Sequence, residues 1–168
     1  MGLDITAYRK LTPDPDAKRD EDGEPVDYDN HYCPGAGVKW SQKEWPERAP
    51  ELNHETVYSF EDAFGFRAGS YSGYNQWRAT LAEFAASIFT GGRLPFGELI
   101  DFADNEGAIG TATSARLAED FATHQASAEE WASWTPTVSA HGGWFINLYG
   151  QWRKAFEMAA DGGAVDFH

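Results

Sequence analysis

The sequence predicts an α+β fold in which a small antiparallel sheet packs against about four to five helices in a single domain. Three observations lead to this prediction. The chain has 168 residues, a length that suits one hydrophobic core. Apolar and polar residues alternate in a few short segments, which is typical of strands. Apolar residues at helical spacing occupy most of the second half of the chain.

The predicted strands lie mainly in the first half of the chain. Residues 3–8 alternate between apolar and polar side chains and form the first strand. Residues 55–60 and 64–68 are predicted to form a hairpin joined by a tight turn. Residues 12–50 lie between the first strand and this hairpin and are rich in Pro, Asp, Glu and Gly. This composition predicts a long irregular excursion, with at most a short strand at residues 26–28.

The helices are predicted from their apolar stripes and from capping residues. The first helix follows a loop at residues 69–73, with Ser72 or Asn75 as its N-cap, and ends at Gly91 and Gly92. Four more helices are predicted, at residues 95–103, from Thr113 or Ser114 onward, from Ser127 onward, and at residues 144–160. The acidic run before Gly107 breaks the second helix, and residues 164–168 add a terminal strand.

Two short segments of the chain resemble each other. Tyr-Asn-Gln-Trp-Arg at residues 74–78 matches Tyr-Gly-Gln-Trp-Arg at residues 149–153, and both lie in predicted helices. One interpretation is a pair of related helices packed around a pseudo-twofold axis. The alternative is chance similarity in an aromatic-rich chain, because the match covers only five residues.

The charge of the chain excludes some partners. The formal net charge is −14, which disfavours direct binding to nucleic acid or to an anionic membrane. Eight acidic residues and two basic ones lie at residues 14–29. The simpler interpretation is a solvated loop. The alternative is an acidic surface that imitates nucleic acid and occupies a basic protein partner.

Composition also predicts the compartment. Cys33 is the only cysteine, so no disulfide can form within the chain, as is usual in a reducing compartment. The amino-terminal residues lack the features of a signal peptide, and no apolar run reaches the roughly 20 residues of a membrane span. We therefore expect a cytoplasmic protein without a membrane partner, and the sequence leaves self-association open.

Residues 66–78 are the strongest candidate for a ligand site. They combine arginines, serines, glycines and aromatic residues between a predicted strand and a predicted helix. Arginines bind phosphate or carboxylate in bidentate fashion, and aromatic rings stack on bases. The residues predicted to contact an anionic ligand are Arg67, Ser70, Tyr71, Ser72, Tyr74, Trp77 and Arg78. The alternative is a turn flanked by core aromatic residues, with the arginines paired to surface acids.

Two histidines are further candidates. His54 belongs to a His-x-Thr pattern that forms one half of a two-histidine phosphoesterase motif, but the second half is missing. His168 could be returned by the terminal strand, together with Asp166, to the neighbourhood of Arg67. The lack of a complete catalytic motif favours a binding protein over an enzyme.

No metal or cofactor is predicted. His31 and Cys33 do not complete the spacing of a zinc site. Asp101, Asp104 and Glu106 form a carboxylate cluster whose spacing does not fit a calcium loop, so a solvated turn is the better interpretation.

Several segments together resemble a family of uncharacterised tailed-phage and prophage proteins. They are MGLDITAY, FRAGSYSGYNQWRATLA, PFGELIDFADNEGAIGTATSARLAEDFA and YGQWRKAFEMAADGGAVDFH. The resemblance implies a phage context inside a bacterial cell and a role as an accessory factor against host defence.

We therefore expect a non-enzymatic binder that sequesters a small anionic, nucleotide-derived ligand. One alternative is an acidic protein inhibitor of a host defence factor. The other is a phosphoesterase-like enzyme that uses His54 or His168.

Overall fold

The computed structural model describes residues 2–103, 107–141 and 143–168. The strands within them are β1 (Leu3–Arg9), β2 (Thr12–Pro13), β3 (His31–Tyr32), β4 (Tyr58–Ser59), β5 (Asp62–Gly69), β6 (Gly107–Gly110) and β7 (Ala164–Phe167). The helices are α1 (Gly35–Glu44), α2 (Tyr71–Ile88), α3 (Gly97–Ile100), α4 (Thr111–Thr123), α5 (Gln125–Trp134), α6 (Pro136–Ser139) and α7 (Trp144–Ala159). The predicted α+β class with an antiparallel sheet is confirmed.

The main sheet has four antiparallel strands in the order β5-β1-β7-β6. Strand β1 alternates as its sequence predicts, because Leu3, Ile5 and Ala7 are buried beneath the helices. The intervening residues of β1 point to the opposite side of the sheet, which we call the outer face. The predicted terminal strand is β7, which lies between β1 and β6.

The main core lies between the inner face of this sheet and the longer helices. Helix α7 contacts β1, β5, β7 and α4, so it occupies the centre of the helical layer. Aromatic rings fill much of the core and contact one another in pairs. The largest fully buried side chains are Trp77, Trp152, Tyr74, Tyr149, Phe84, Phe96, Phe102, Phe121, Phe145 and Phe156.

A second, smaller core covers part of the outer face. It brings Tyr32, Val38 and Ala49 of the excursion against Ala108 and Ala164 of the sheet. The excursion is therefore more regular than predicted, since it contains α1 and two strands of a three-stranded sheet ordered β2-β4-β3. Helix α1 was missed because it has two glycines and buries only Val38 and Ser41.

Two strand predictions are wrong. Residues 26–28 form no strand, and the isolated bridge nearby joins Arg19 to Pro25. The segments predicted as a hairpin belong to different sheets, because β4 pairs with β2 and β3 whereas β5 pairs with β1. Phe64 and Phe66 of β5 pack against the main core, and this burial favours pairing with β1.

The ends of several helices differ from the prediction. Ser70, not Ser72 or Asn75, caps α2, and that helix ends at Ile88 before the two glycines. Helix α3 is only four residues long. Strand β6 was not predicted, and α4 begins directly after it, with Gly110 at the N-cap position instead of Thr113 or Ser114.

Three further predictions concern the second half of the chain. Helix α5 begins at Gln125, two residues before the predicted Ser127. The last predicted helix agrees with α7 to within one residue. Asp104 and Glu106, which belong to the predicted carboxylate cluster and to the predicted break, lie outside the described residues.

Candidate functional site

The two serines of the predicted ligand segment serve the start of α2. The Ser70 hydroxyl accepts a hydrogen bond from the backbone N–H of Gly73 at 3.1 Å, which makes Ser70 the N-cap. The Ser72 hydroxyl lies 3.1 Å from the Ser70 hydroxyl. Tyr71 begins the helix and is partly exposed. The local geometry of this segment is that of a capped helix start.

Tyr74 and Trp77 are core residues. Both side chains are buried, and the Trp77 ring stacks on Trp152. The Tyr74 hydroxyl donates to the Phe102 carbonyl at 2.7 Å, and the Trp77 indole N–H donates to the Phe145 carbonyl at 3.2 Å. Both rings are therefore packed in the core, and their polar atoms are hydrogen-bonded to backbone carbonyls.

The two arginines of the predicted segment lie in different places and contact different partners. Arg67 lies on the outer face of the sheet, where its guanidinium is 3.3 Å from the Asp4 carboxylate. Arg67 also lines a cleft of about 430 Å³ beside the start of α7. Arg78 donates to the Ile100 carbonyl at the end of α3 and to the Asn75 side chain. The structure thus gives the two guanidiniums no shared contact among the described residues.

The two predicted histidines are also separate. His168 pairs through its backbone with Asp4, and its Nε2 atom is 2.9 Å from the Thr6 hydroxyl. Arg67 of β5 and His168, which directly follows β7, therefore flank Asp4 on its two sides. His54 lies elsewhere, in a shallow cleft that Glu55 also lines, and its Nε2 atom is 3.6 Å from the Glu55 carboxylate.

A different pocket gathers arginines from three parts of the chain. It has a volume of about 330 Å³ and lies between the end of α1, the loop before α3, and the first turn of α4. We call it the Arg48 pocket. Its lining residues are Trp45, Glu47, Arg48, Arg93, Leu94, Gly97, Glu98, Asp101, Thr113 and Arg116.

Arg48 is the unusual residue of this pocket. Its guanidinium contacts two rings, with the guanidinium carbon 4.0 Å from the Trp45 ring centroid and 4.4 Å from that of Phe102. One N–H donates to the Asp101 carbonyl at 3.2 Å. Arg48 is only 8% exposed, and burial lowers the pKa of its guanidinium. Among the described residues, no carboxylate oxygen lies within 4.0 Å of it.

The opposite wall of the pocket is a fixed ion-pair network. The Glu98 carboxylate is 3.0 Å from both Arg93 and Arg116, one oxygen to each. Arg93 also contacts the Asp120 carboxylate at 2.6 Å. Asp120 is buried and accepts a hydrogen bond from the Phe96 backbone N–H as well. Arg93 and Arg116 are therefore in direct contact with carboxylates, whereas the Glu47 and Asp101 carboxylates act on Arg48 only from more than 4.0 Å away.

The sequence did not predict the Arg48 pocket. Arg48 lies in the acidic excursion, Arg93 in the loop after α2, and Arg116 within α4, so no local motif contains them. The only nearby signal is Trp45, three residues before Arg48. Nothing in that short spacing indicates that the arginine is buried.

Comparison with protein-family models, with curated proteins and with solved structures finds no match to this chain. In the part of the chain that the structure describes, no helix combines the length and apolar character of a membrane span. The same residues include no group of three or more His, Cys, Asp or Glu side chains that could hold a metal ion. The fold and the site therefore define an α+β protein with an arginine-lined pocket.

Proposed function

We propose that this protein is a phage accessory protein that binds and sequesters a small anionic, nucleotide-derived ligand to counter host defence. We assign the binding site to the Arg48 pocket. The observation that carries the proposal is the buried Arg48 guanidinium, which has no carboxylate within 4.0 Å among the described residues. The phage context rests on the sequence resemblance alone.

The energetics of burial support an anionic ligand. A buried charge is costly unless an opposite charge or sufficient hydrogen bonds compensate for it. Arg48 keeps its charge at neutral pH, as arginines do in proteins. The guanidinium lies over the Trp45 and Phe102 rings, so an incoming anion need not order a flexible side chain. An anion in the pocket would supply the direct contact that the more distant Glu47 and Asp101 carboxylates do not make.

The composition of the pocket supports binding without catalysis. Three of the eight arginines of the chain line it together with the carboxylates of Glu47, Glu98 and Asp101, in a protein with a net charge of −14. Its volume of about 330 Å³ lies within the range of small-molecule sites. The described residues that line it include no nucleophile paired with a histidine base. This arrangement suits a preformed binding site.

The test is calorimetric titration with a panel of cyclic nucleotides and ADP-ribose. We expect one of them to bind the wild-type chain, and we expect Arg48→Met to weaken that binding about 100-fold or more. Arg67→Met is the matched control, because it removes an exposed arginine from the segment at residues 66–78. Binding lost in Arg67→Met but kept in Arg48→Met would move the site back to that segment. No binding by any member of the panel would contradict the function.

A second measurement separates a binder from an enzyme. The ligand that binds is incubated with the protein, the protein is denatured, and the ligand is analysed by chromatography. Sequestration predicts that the ligand is recovered intact. Conversion of the ligand would instead favour the phosphoesterase-like alternative.

One observation favours the acidic-inhibitor alternative as a second candidate function. Val26 and Tyr28 are 61% and 63% exposed within the acidic stretch at residues 14–29. Apolar and aromatic side chains beside charges are typical of protein-binding surfaces. This candidate predicts salt-sensitive association with a basic host protein, which Asp16→Asn, Glu21→Gln and Asp22→Asn together should weaken. Unchanged association in that triple variant would exclude it.

A further inference from the structure

We infer that the ligand of the Arg48 pocket is a hydroxyl-bearing phosphate ester, a sugar phosphate by class. Its phosphate lies at Arg48, and its hydroxyl groups lie at Glu98 and Thr113. This inference rests on the proposed function, because it assumes that the Arg48 pocket is the binding site. It follows from the difference in hydrogen-bonding character between the two walls of the pocket.

The Arg48 wall offers the donors of a guanidinium, beside the Glu47 and Asp101 carboxylates. A guanidinium carries five N–H donors and no acceptor, and Arg48 uses one of them on the Asp101 carbonyl. Its planar fork matches an oxyanion in bidentate fashion. Further N–H groups of Arg93 and Arg116 line the same pocket. Phosphate has more terminal oxygens than a carboxylate, so it satisfies donors from several directions.

The Glu98 wall offers both acceptors and donors. Each oxygen of Glu98 accepts one arginine hydrogen bond at 3.0 Å. An ionised carboxylate has about four acceptor positions, so about two remain. The Thr113 hydroxyl accepts from Arg116 at 3.0 Å, which leaves its own proton for donation. A ligand hydroxyl both donates and accepts, and it therefore matches this wall better than a second anion does.

The apolar residues of the pocket suit the carbon body of such a ligand. Trp45 and Leu94 line the pocket and are 37% and 38% exposed. The C–H groups of a sugar can cover these surfaces and remove them from water. Inorganic phosphate would leave them exposed, so it should bind more weakly than a phosphate ester with a carbon body.

The experiment compares matched small molecules by calorimetric titration of the full chain. Glycerol 3-phosphate and n-propyl phosphate share a three-carbon body and a phosphate, and they differ in hydroxyl groups. We expect glycerol 3-phosphate to bind about tenfold tighter than n-propyl phosphate, because hydrogen bonds to a charged group contribute at this level. Ribose 5-phosphate should bind tighter still. Glycerate, which replaces the phosphate by a carboxylate, should bind more weakly than glycerol 3-phosphate.

Two variants assign the hydroxyl preference to its residues. Glu98→Gln should bind glycerol 3-phosphate and n-propyl phosphate with similar affinity, and its affinity for n-propyl phosphate should rise because Arg93 and Arg116 lose the Glu98 carboxylate. Thr113→Val should reduce the preference without changing the charge of the pocket. Glu157→Gln is the matched control, because Glu157 makes a single exposed ion pair with Arg153 on α7. Wild-type preference in both pocket variants would overturn the assignment.

The outcomes separate the two proposals. Equal affinity of the wild-type chain for glycerol 3-phosphate and n-propyl phosphate would overturn the present inference and leave anion binding intact. Tighter binding of glycerate than of glycerol 3-phosphate would overturn the phosphate assignment. If none of these phosphates and no member of the nucleotide panel binds, the proposed function fails as well.

Discussion

The indole rings of Trp77 and Trp152 stack in the core with their centroids 5.8 Å apart and their planes 24° apart. These residues occupy equivalent positions in the two similar segments at residues 74–78 and 149–153. The tyrosines of the two segments also match in role, since Tyr74 donates to the Phe102 carbonyl and Tyr149 donates to the Phe121 carbonyl. The similarity of sequence thus corresponds to similar contacts of buried residues.

The two indoles differ in hydrogen bonding, and this difference predicts unequal stability effects. The Trp77 N–H donates to the Phe145 carbonyl, whereas the buried Trp152 N–H has no hydrogen-bond partner among the described residues. We expect Trp77→Phe to cost about 1 kcal/mol more free energy of unfolding than Trp152→Phe. Urea denaturation followed by circular dichroism measures both. Equal losses would show that the Trp77 hydrogen bond contributes nothing net.

Substitution by alanine should lower the free energy of unfolding at one glycine and raise it at another. Gly163 follows α7, and Gly150 lies within it. A Cβ atom on Gly163 would lie 1.8 Å from the Tyr8 carbonyl oxygen, so Gly163→Ala must displace backbone. We expect a loss of about 2–3 kcal/mol in the free energy of unfolding. Gly150 lies within α7 with no atom near a new Cβ, so Gly150→Ala should gain about 0.5–1 kcal/mol. Thermal denaturation of the pair measures this contrast, and a shift in the same direction would contradict it.

The buried Asp166 carboxyl should make the stability of the folded protein depend on pH. Burial raises the pKa of this carboxyl to about 6, although the Tyr32 hydroxyl donates to it at 2.8 Å. The folded protein therefore favours the protonated form, and the resulting penalty grows as the pH rises from about 4 to about 6. Asp166→Asn removes this penalty. We expect the variant to be about 2–3 kcal/mol more stable than wild type at pH 7.5 and similar to it at pH 4.

The control for this experiment is Asp22→Asn, which removes an exposed carboxylate from the excursion. Urea denaturation of wild type and of both variants at each pH gives the comparison. A stability difference between wild type and Asp166→Asn that is the same at both pH values would show that Asp166 is not the group responsible.

The N-cap of α2 gives a further prediction. The Ser70 hydroxyl accepts the Gly73 backbone N–H, so Ser70→Ala should cost about 1 kcal/mol in the free energy of unfolding. Ser72 contacts the Ser70 hydroxyl, and Ser72→Ala should change stability by less than about 0.5 kcal/mol. Chemical denaturation of both variants distinguishes the observed cap from the one that the sequence suggested, because the reverse order of losses would favour Ser72.

The sequence predicted those elements whose pattern repeats along a buried face. Strand β1 was predicted because Leu3, Ile5 and Ala7 alternate with polar residues, and α7 was predicted from its apolar stripe. Elements with weak patterns were missed or misplaced. Strand β6 consists of two glycines, one alanine and one isoleucine. All four residues are buried, so the segment shows no alternation of apolar and polar residues that would predict a strand. Helix α1 was missed because its glycines and exposed polar residues conceal the helical period.

The position of the candidate site also could not be predicted from local sequence patterns. The segment at residues 66–78 looked like a ligand site because polar and aromatic residues are close together in the chain. In the structure Tyr74 and Trp77 belong to the core, and Arg67 and Arg78 have different partners. Proximity in sequence therefore did not imply a shared pocket. The alternative interpretation, a turn flanked by core aromatic residues, describes this segment better.

The sequence by itself determined the α+β class, the central strand and the main helix, because these follow from local periodicity of apolar residues. It also determined the unusual charge and the similarity of the two Trp-containing segments. Only the tertiary structure decided that these two tryptophans stack and that Arg48 is buried between Trp45 and Phe102. The physical reason is that burial and charge compensation depend on residues far apart in the chain, which packing alone brings together.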